Sequence, residues 1–517
     1  MSVTKPALHL FLCFCYALLA ACSDGSDRQP GEPPTYAPIP QPLLELPPDE
    51  GDIALFSTEF DLAEVGYQQQ EFFFSGNARA FANTTALGTD GLWQVEVAAE
   101  APYRSRMVVY RPIDPQQFSG TVVVEWLNVS AGFASGPVWR STHTELIRQG
   151  HAWVAVDAQE TGIEGGTNLV SPVPLHLKAV NPARYGELLH PGDSYSYDIF
   201  TQAAQALRSP GAIDPLAGLV PEVLIAAGQS QSAYRLTTLV NALQPVYGPF
   251  DGYFLFTRVV MNFERLEDGQ WVITSPSGAA PLRQSDVPDN MPPLRVDIRA
   301  DLRVPTLMLQ SETDVIDLRS VELRQADTDR FRLWEVAGTA HSDYYGSIAG
   351  GTDTGESPEA ALIVEQSNIS GFINCQLPIN AGPMAWVANA ALNSLDQWIR
   401  GQGAPTSAEL LTTLDDQSGF QLDTYGNALG GLRTPHVDAP AARLSGIGQP
   451  PAEIFCSLYG TTTLFDAATM AALYVDRAGY VQAVSDAAAN AVEAGFLLPA
   501  DAERIVAAAG LQWDLIP

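Results

Sequence analysis

A serine stands between two small residues at a predicted bend of the chain. Residues 228–232 read Gly-Gln-Ser-Gln-Ser, after an apolar run and before a helical pattern. Small flanking residues leave room for a sharp strand-to-helix turn that lifts the hydroxyl of Ser230 clear of a sheet edge. The hydroxyl then lies at a helix N-terminus, where unpaired backbone N–H groups favour developing negative charge. We therefore predict that Ser230 is a nucleophile, although Ser232 stands where a second glycine is expected. The alternative for Ser230 is a turn serine that caps the helix.

A serine nucleophile needs a base, which is usually a histidine oriented by an acid. When the nucleophile lies on such a bend, the acid and then the histidine follow it along the chain. Two histidines follow Ser230, namely His341 and His436. His341 comes just after an apolar strand pattern, on a loop bounded by Gly and Ala, whereas no strand pattern precedes His436. We expect His341 to be the base.

Three acidic residues follow the strand pattern at 304–310 and are candidates for the orienting acid: Glu312, Asp314 and Asp317. Asp314 stands where a short turn directs its carboxylate at the histidine, so we predict it as the acid. Glu312 remains the alternative, because its longer side chain reaches from an earlier position. Asp317 is expected to cap a turn or face water.

The oxyanion that forms during acyl transfer needs hydrogen-bond donors. One is expected to be the backbone N–H of Gln231, the residue after the nucleophile. The other should come from the loop at 127–136, whose Gly and Ser content allows close approach of the backbone. Asn128 and Val129 are the candidates in this loop.

The elements around these residues alternate between strand and helix patterns. Strand patterns lie at 93–101, 106–113, 121–128, 151–159, 223–228, 251–258, 304–310 and 331–338, and helix patterns at 142–150, 196–209, 232–243 and 383–401. This alternation predicts an α/β fold with a mostly parallel sheet and helices on both faces. Residues 51–401 form the predicted core, within which the polar, Pro-rich segment 259–303 resembles a cap, and 402–517 form a helical C-terminal extension packed on the core.

Several stretches of the sequence resemble the α/β-hydrolase superfamily. They are VEWLNVS (124–130), GQSQSAYRL (228–236), ETD (312–314), AGTAHSD (337–343) and YGNALGGLRTPHVD (425–438). More narrowly, the chain is similar to a bacterial group of exported alpha/beta hydrolase domain proteins over most of residues 50–517. The resemblance implies the α/β-hydrolase fold and a triad of Ser230, His341 and either Asp314 or Glu312. The chain departs from the wider superfamily at Ser232.

The N-terminal residues predict export and a lipid anchor. Lys5 precedes an apolar stretch that is too short to span a bilayer and has the build of a secretory signal at 1–21. The ending Leu-Ala-Ala-Cys resembles a bacterial lipobox, which predicts lipidation of Cys22; the alternative is an ordinary cleaved signal. Ser23 after the cysteine favours the outer membrane over the inner one. Residues 22–50 are rich in Pro, Gly and acidic side chains, as expected for a tether.

The net charge of the chain limits the kinds of partner that it is expected to bind. The formal net charge is −32, which disfavours nucleic acid and anionic membrane surfaces, because both require clustered Lys and Arg.

In an oxidising compartment the two cysteines outside the N-terminal segment, Cys375 and Cys456, are predicted to form a disulfide, with two buried thiols as the alternative. The spacing of Cys and His residues matches no metal site, and the motifs call for no cofactor.

Together these features predict a serine hydrolase that cleaves carboxylic esters through a Ser-His-Asp triad and an acyl-enzyme, with a small-molecule ester as its substrate. The same residues suit an acyltransferase or a lactonase, and a non-catalytic ligand-binding lipoprotein is the alternative outside enzymes. The lipid anchor is the one predicted contact with a membrane. The sequence leaves the ester and the oligomeric state open.

Overall fold

The computed structural model describes residues 35–166, 173–260, 263–265, 271–273, 277–283, 291–369, 373–450 and 455–516. Residues 38–517 form one compact unit, and residues 1–37 form a separate one of which 35–37 are described. The predicted signal segment 1–21, Cys22 and the first part of the tether lie outside the described residues.

A nine-stranded sheet forms the centre of the compact unit. The strands in chain order are β1 (Leu43–Glu45), β2 (Tyr67–Asn83), β3 (Val95–Pro112), β4 (Thr121–Trp126), β5 (Ala152–Val156), β6 (Val223–Gln229), β7 (Gly252–Phe256), β8 (Phe263–Arg265), β9 (Trp271–Ile273), β10 (Thr306–Ser311), β11 (Phe331–Val336), β12 (Asn368–Ile369), β13 (Ile373–Asn374), β14 (Ala442–Ser445) and β15 (Thr461–Leu464). The order across the sheet is β1-β2-β3-β5-β4-β6-β7-β10-β11, and the remaining strands form three separate pairs, β8-β9, β12-β13 and β14-β15.

The sheet has a parallel half and an antiparallel half. From β5 through β4, β6, β7 and β10 to β11 every pairing is parallel. The strands β4, β5, β6 and β7 are almost entirely buried, as expected when helices cover both faces of a parallel sheet. The strands β1, β2 and β3 continue the sheet in antiparallel pairing, and β3 pairs with β5. The predicted α/β class with a mostly parallel sheet is confirmed.

Helices connect the parallel strands and continue into the C-terminal region. They are α1 (Pro137–Gln149), α2 (Glu160–Glu164), α3 (Leu177–Val180), α4 (Pro182–Tyr185), α5 (Ser196–Arg208), α6 (Gln231–Ala242), α7 (Gln244–Tyr247), α8 (Glu312–Ile316), α9 (Tyr344–Ser347), α10 (Met384–Ile399), α11 (Pro435–Asp438), α12 (Ala467–Tyr474), α13 (Arg477–Glu493) and α14 (Pro499–Gln512).

Two helix layers enclose the sheet. On one face α1 and α10 bury Trp139 and Met384 in the same core as Val123 and Ile225 of the sheet. On the other face α5 packs its aromatic residues against Trp126 of β4, with 4.9 Å between the ring centroids of Trp126 and Phe200. The parallel strands are therefore held rigidly, and their carboxyl ends provide fixed positions for the loops that follow.

The described residues of the C-terminal region, 402–450 and 455–516, pack on the core. Its first half pairs with the edge strand β11, because Leu432 N–H donates to the Glu335 carbonyl and the Leu432 carbonyl accepts from Ala337 N–H. Its second half contains α12, α13 and α14, which bury a core with Trp386 of α10. The region thus covers the sheet edge, which is otherwise open to further pairing.

The described part of the predicted cap, 259–303, packs beside α6. The buried guanidinium of Arg258 donates to the carbonyls of Gly278 and Val296, and Thr238 of α6 donates to the Ala280 carbonyl at 2.5 Å. Residues 261–262, 266–270, 274–276 and 284–290 of this segment lie outside the described residues. Across the described ranges, no helix combines the length and apolar character needed to cross a membrane.

Candidate active site

The elbow at Ser230 has the strained backbone that the motif predicts. Ser230 lies between β6 and α6 with φ 63° and ψ −122°, a conformation that costs a non-glycine residue energy and is found mostly at functional sites. A Cβ atom at Gly228 would lie 3.0 Å from Ser232 Cβ, so a larger residue at the first small position would crowd the bend. Ser232 is fully buried and its hydroxyl donates to the Leu127 carbonyl at 3.3 Å. The turn therefore accepts serine at the second position.

Three side chains that follow three different strands form a hydrogen-bonded chain. His341 Nε2 lies 3.0 Å from Ser230 Oγ, and His341 Nδ1 lies 2.6 Å from Asp314 Oδ1. Because the carboxylate accepts a hydrogen bond, Nδ1 carries the ring proton and Nε2 is free to accept the proton of the serine hydroxyl. His341 follows β11 and Asp314 lies in α8 after β10, so both reach the same carboxyl edge of the sheet as Ser230.

The second oxygen of Asp314 is held by the helix cap of α8. Oδ2 accepts hydrogen bonds from the backbone N–H and the hydroxyl of Ser311, both at 2.7 Å. Ser311 Oγ in turn accepts from the Asp314 backbone N–H, which completes a capping box. Asp314 is fully buried, and its two oxygens face different partners. The capping box thus fixes the direction in which Oδ1 points at His341.

The alternative acid, Glu312, accepts hydrogen bonds from backbone N–H groups and not from the ring of His341. Its Oε1 accepts from Gly338 N–H at 2.6 Å and its Oε2 accepts from Gly446 N–H at 2.8 Å. Burial raises the pKa of Glu312 to about 7, and the two backbone donors oppose that rise. Glu312 therefore joins the histidine loop to the C-terminal region. Asp317 ends α8 and is exposed.

Further contacts fix the position of His341. The hydroxyl of Thr313 accepts from the His341 backbone N–H at 3.1 Å and donates to the Gly446 carbonyl at 2.5 Å. The side-chain amide of Gln229 donates to the His341 carbonyl at 3.0 Å. Gln229, Thr313 and Gly446 were not among the residues predicted from sequence; for Gln229, its place beside the nucleophile was the available signal.

The candidate oxyanion loop lies against the elbow. The Asn128 side-chain amide donates to the Gln229 carbonyl at 3.0 Å, and the Asn128 backbone N–H donates to the Ser135 carbonyl at 2.9 Å. Both donor groups of Asn128 therefore have protein partners. Gln231 is the first residue of α6, where a backbone N–H has no partner within the helix. Val129 is buried beside Gly162.

A cavity of about 510 Å³ lies beside Ser230 and His341. Several separate segments of the chain form its walls and contribute, among others, Leu55, Phe56, Phe133, Arg140, Leu175, Leu177, Ile373, Phe455 and Tyr459. The described residues of 259–303 do not line the cavity, whereas part of 402–517 does. A cavity with mostly apolar walls and a few polar groups is the usual form of a small-molecule site.

A disulfide joins two segments of the cavity wall. Cys375 and Cys456 are bonded, with 5.5 Å between their Cα atoms, as the sequence predicted. Ile373 lies two residues before one cysteine and Phe455 directly before the other, and both line the cavity. The bond therefore attaches the C-terminal region to the wall formed by the β12-β13 pair.

The other histidine candidate, His436, does not belong to this hydrogen-bonded chain. It is buried in α11 beneath the C-terminal helices, and burial lowers its pKa to about 4. Its Nδ1 has no hydrogen-bond partner. Within the described residues, no group of three or more His, Cys, Asp or Glu side chains is placed to hold a metal ion.

The family to which the chain belongs follows from its sequence match. Residues 38–507 match the model of the family described as alpha/beta hydrolase domain. The chain belongs to this family. The match extends through the C-terminal region, so this alpha/beta hydrolase shares that region with its family as well as the core. No curated protein matches the chain.

Solved structures of esterases and a serine hydrolase are similar to this alpha/beta hydrolase at low identity. A thermostable esterase from Pseudomonas putida is 16% identical over 49% of this chain and 66%, just under two thirds, of its own, with a TM-score of 0.26. A fungal esterase from Rhizomucor miehei is 12% identical over 63% of this chain and 86% of its own, with a TM-score of 0.29. The serine hydrolase XC6422 from Xanthomonas campestris is 15% identical over 50% of this chain and 83% of its own, with a TM-score of 0.23.

Proposed function

We propose that this alpha/beta hydrolase is a serine hydrolase that cleaves carboxylic esters, with Ser230 as nucleophile, His341 as base and Asp314 as orienting acid. The observation that carries the proposal is the unbroken chain of hydrogen bonds from Ser230 Oγ through the imidazole of His341 to Asp314, at 3.0 and 2.6 Å. A nucleophile within reach of its base, with the base oriented by a third group, is the arrangement that activates a hydroxyl.

In the proposed reaction Ser230 Oγ attacks the acyl carbon while His341 Nε2 takes the hydroxyl proton. Asp314 holds the Nδ1 proton and stabilises the charged imidazole. The backbone N–H of Gln231 donates to the developing oxyanion at the N-terminus of α6. The imidazolium then gives its proton to the leaving alcohol, and water activated by the same histidine releases the acid.

The cavity supports an ester as the substrate. Its walls are mostly apolar beside the nucleophile, which suits an acyl or alcohol chain of moderate length. The solved relatives named above include esterases, which accords with this choice of bond.

A fluorophosphonate probe tests the proposal, because it reacts covalently with an activated serine. We expect the wild-type protein to be labelled and Ser230→Ala and His341→Ala to stay unlabelled. Ser232→Ala is the matched control, because it removes a neighbouring, fully buried hydroxyl that donates to the Leu127 carbonyl. We expect Ser232→Ala to be labelled.

Mass spectrometry of the labelled protein should place the adduct on the peptide that contains Ser230. Labelling that persists in Ser230→Ala would assign the nucleophile to another residue. A wild-type protein that neither reacts with the probe nor hydrolyses p-nitrophenyl esters would contradict the proposal as a whole.

We also propose that the protein is exported and held at the bacterial envelope, on the outer membrane, by a lipid on Cys22. The lipobox-like residues 19–22 and the Pro-rich tether support this proposal, and the disulfide between Cys375 and Cys456 accords with an oxidising compartment. Fractionation of cells should find the wild type in outer membranes and Cys22→Ala in the soluble periplasmic fraction. Recovery of both proteins in the same fraction would exclude the anchor.

A further inference from the structure

One part of the cavity wall is polar. Ser141, Asp343, Ser347 and Tyr459 line the cavity together, and we call this group the polar patch. Ser347 Oγ donates to Tyr459 Oη at 3.2 Å, and Asp343 caps α9, the helix that ends at Ser347. The patch thus brings together polar side chains of the α9 segment and of the C-terminal region, with Ser141 of α1 beside them in the wall.

Asp343 is the acidic member of the patch and lacks a counter-ion. It is 6% exposed, and its Oδ1 accepts from Gly346 N–H at 2.7 Å. Within the described residues no cation forms an ion pair with it, and no hydrogen bond reaches its Oδ2. An ionised carboxylate has room for about four hydrogen bonds, and buried charges are ordinarily paired. Burial without a cationic partner raises the pKa of Asp343 to about 7.

The nearby arginine is already engaged. Arg140 donates to the carbonyls of Ser57 and Gly346 and also to that of Ser347, and it lies 3.7 Å from the exposed Glu59. Its charge is therefore directed at backbone carbonyls and at Glu59. The hydrogen bonds from Arg140 to the carbonyls of Gly346 and Ser347 hold α9 in place beside the polar patch.

We propose that the carboxylate of Asp343 is a specificity-determining group that binds a protonated amine of the ester substrate. The ammonium supplies the partner that Oδ2 lacks, while the acyl carbon lies at Ser230 in the same cavity. The net charge of −32 favours the approach of cationic substrates. The inference rests on the proposed ester hydrolysis and names the class of ester: one that carries a primary ammonium on its acyl or alcohol side.

Two matched pairs of esters test the inference at pH 8, where an aliphatic amine is protonated. The acyl-side pair is p-nitrophenyl 6-aminohexanoate and p-nitrophenyl heptanoate, which have the same number of chain atoms. The alcohol-side pair is 4-aminobutyl hexanoate and pentyl hexanoate, whose hydrolysis is measured by the release of acid. For each pair the measured quantity is the ratio of kcat/KM for the ammonium ester to that for the neutral ester.

We expect the wild type to prefer the ammonium ester in at least one pair, and Asp343→Asn to reduce that ratio by about tenfold to a hundredfold, the range expected for a charge-assisted hydrogen bond. The loss should appear mainly in KM. Asn retains an oxygen that accepts from Gly346 N–H, so the variant keeps the cap of α9. Asp416→Asn, which makes the same change at an exposed position, is the control and should keep the wild-type ratio.

The outcomes separate this inference from the proposed function. Hydrolysis of all four esters with no preference in either pair, or a preference that Asp343→Asn retains, would overturn the inference alone. A higher kcat/KM for p-nitrophenyl 6-hydroxyhexanoate than for p-nitrophenyl 6-aminohexanoate would also overturn the inference, because it would show that Asp343 prefers a neutral hydroxyl donor to an ammonium. If no ester is hydrolysed and the fluorophosphonate leaves Ser230 unlabelled, the proposed function itself fails.

Discussion

Replacing Asp314 with Asn changes a single atom and is expected to reverse the proton arrangement of the imidazole. In the wild type Oδ2 of Asp314 accepts two hydrogen bonds from Ser311, and Oδ1 accepts one from His341 Nδ1. An asparagine has one oxygen, and the two donors of Ser311 retain it. The NH₂ group then faces His341 Nδ1, which must become an acceptor. The ring proton moves to Nε2, the atom that faces Ser230.

The expected loss in kcat is about 10³–10⁴-fold, the scale known for a triad whose histidine is held in the wrong tautomer. That factor corresponds to about 4–5.5 kcal/mol of transition-state stabilisation. The cap of α8 retains its oxygen acceptor, so we expect the unfolding free energy of Asp314→Asn to stay within about 1–2 kcal/mol of the wild type. The assay is hydrolysis of p-nitrophenyl hexanoate at saturating substrate, combined with urea unfolding.

Glu312→Gln is the matched comparison, because it makes the same chemical change two residues away. Its side chain bonds Gly338 and Gly446, so the substitution turns an NH₂ group towards a backbone donor and should lower stability by about 1–3 kcal/mol. The tautomer of His341 is unaffected, and we expect a far smaller loss in kcat than for Asp314→Asn. If Asp314→Asn keeps kcat within tenfold of the wild type, or Glu312→Gln loses more, the assignment of the acid is wrong.

Three further predictions concern the elbow, the disulfide and a buried carboxyl. Gly228→Ala places a Cβ atom 3.0 Å from Ser232 Cβ, so urea unfolding should show a loss of about 1–3 kcal/mol, with reduced probe labelling; an unchanged variant would contradict the need for glycine. Cys375→Ser opens a loop closed across 81 residues, and chemical denaturation should show a loss of about 4 kcal/mol relative to the wild type; a loss below about 1 kcal/mol would contradict this prediction. Burial raises the pKa of Glu125 to about 8, above its value in the unfolded chain, so the folded state holds a proton that unfolding releases. Glu125 should therefore contribute a fall in stability of about 1.4 kcal/mol from pH 7 to pH 9, and urea unfolding of Glu125→Gln should show a fall smaller than that of the wild type by this amount.

The parallel strands were predictable from sequence because each is buried on both faces and reads as an apolar run. The antiparallel strands β2 and β3 mix polar and apolar residues and do not form such runs. The patterns at 93–101 and 106–113 predict two strands, whereas one strand, β3, continues through Pro102. Proline removes a donor from a ladder, but β3 pairs with β5 only at 107–110, so Pro102 has a strand partner on one side alone. The strand β2, whose Gln and Phe residues come in runs rather than in alternation, was not predicted at all.

The elements of the site differ in how far sequence could place them. The elbow is local, since a strand, a glycine, a serine and a helix follow one another. The choice between Asp314 and Glu312 depends on where each side chain points from α8. That direction is set by Ser311 for one residue and by Gly338 and Gly446 for the other, and Gly446 is 134 residues from Glu312. Contacts over such separations leave no pattern in a single sequence, so geometry was needed to distinguish the two carboxylates.

The C-terminal region is best understood as part of the site. A Cβ atom at Gly446 would lie 2.5 Å from Glu312 Cβ and 2.6 Å from Thr313 N, so this glycine lets the region pack directly on the acid loop. Glu312 and Thr313 then bond Gly446 on one side and the loop of His341 on the other. Farther along, Tyr459 lines the cavity. The C-terminal region therefore both supports the loop of the proposed base, His341, and forms part of the cavity wall. A loop that carries a catalytic histidine needs such a rigid support, because the ring must stay within hydrogen-bonding distance of the serine.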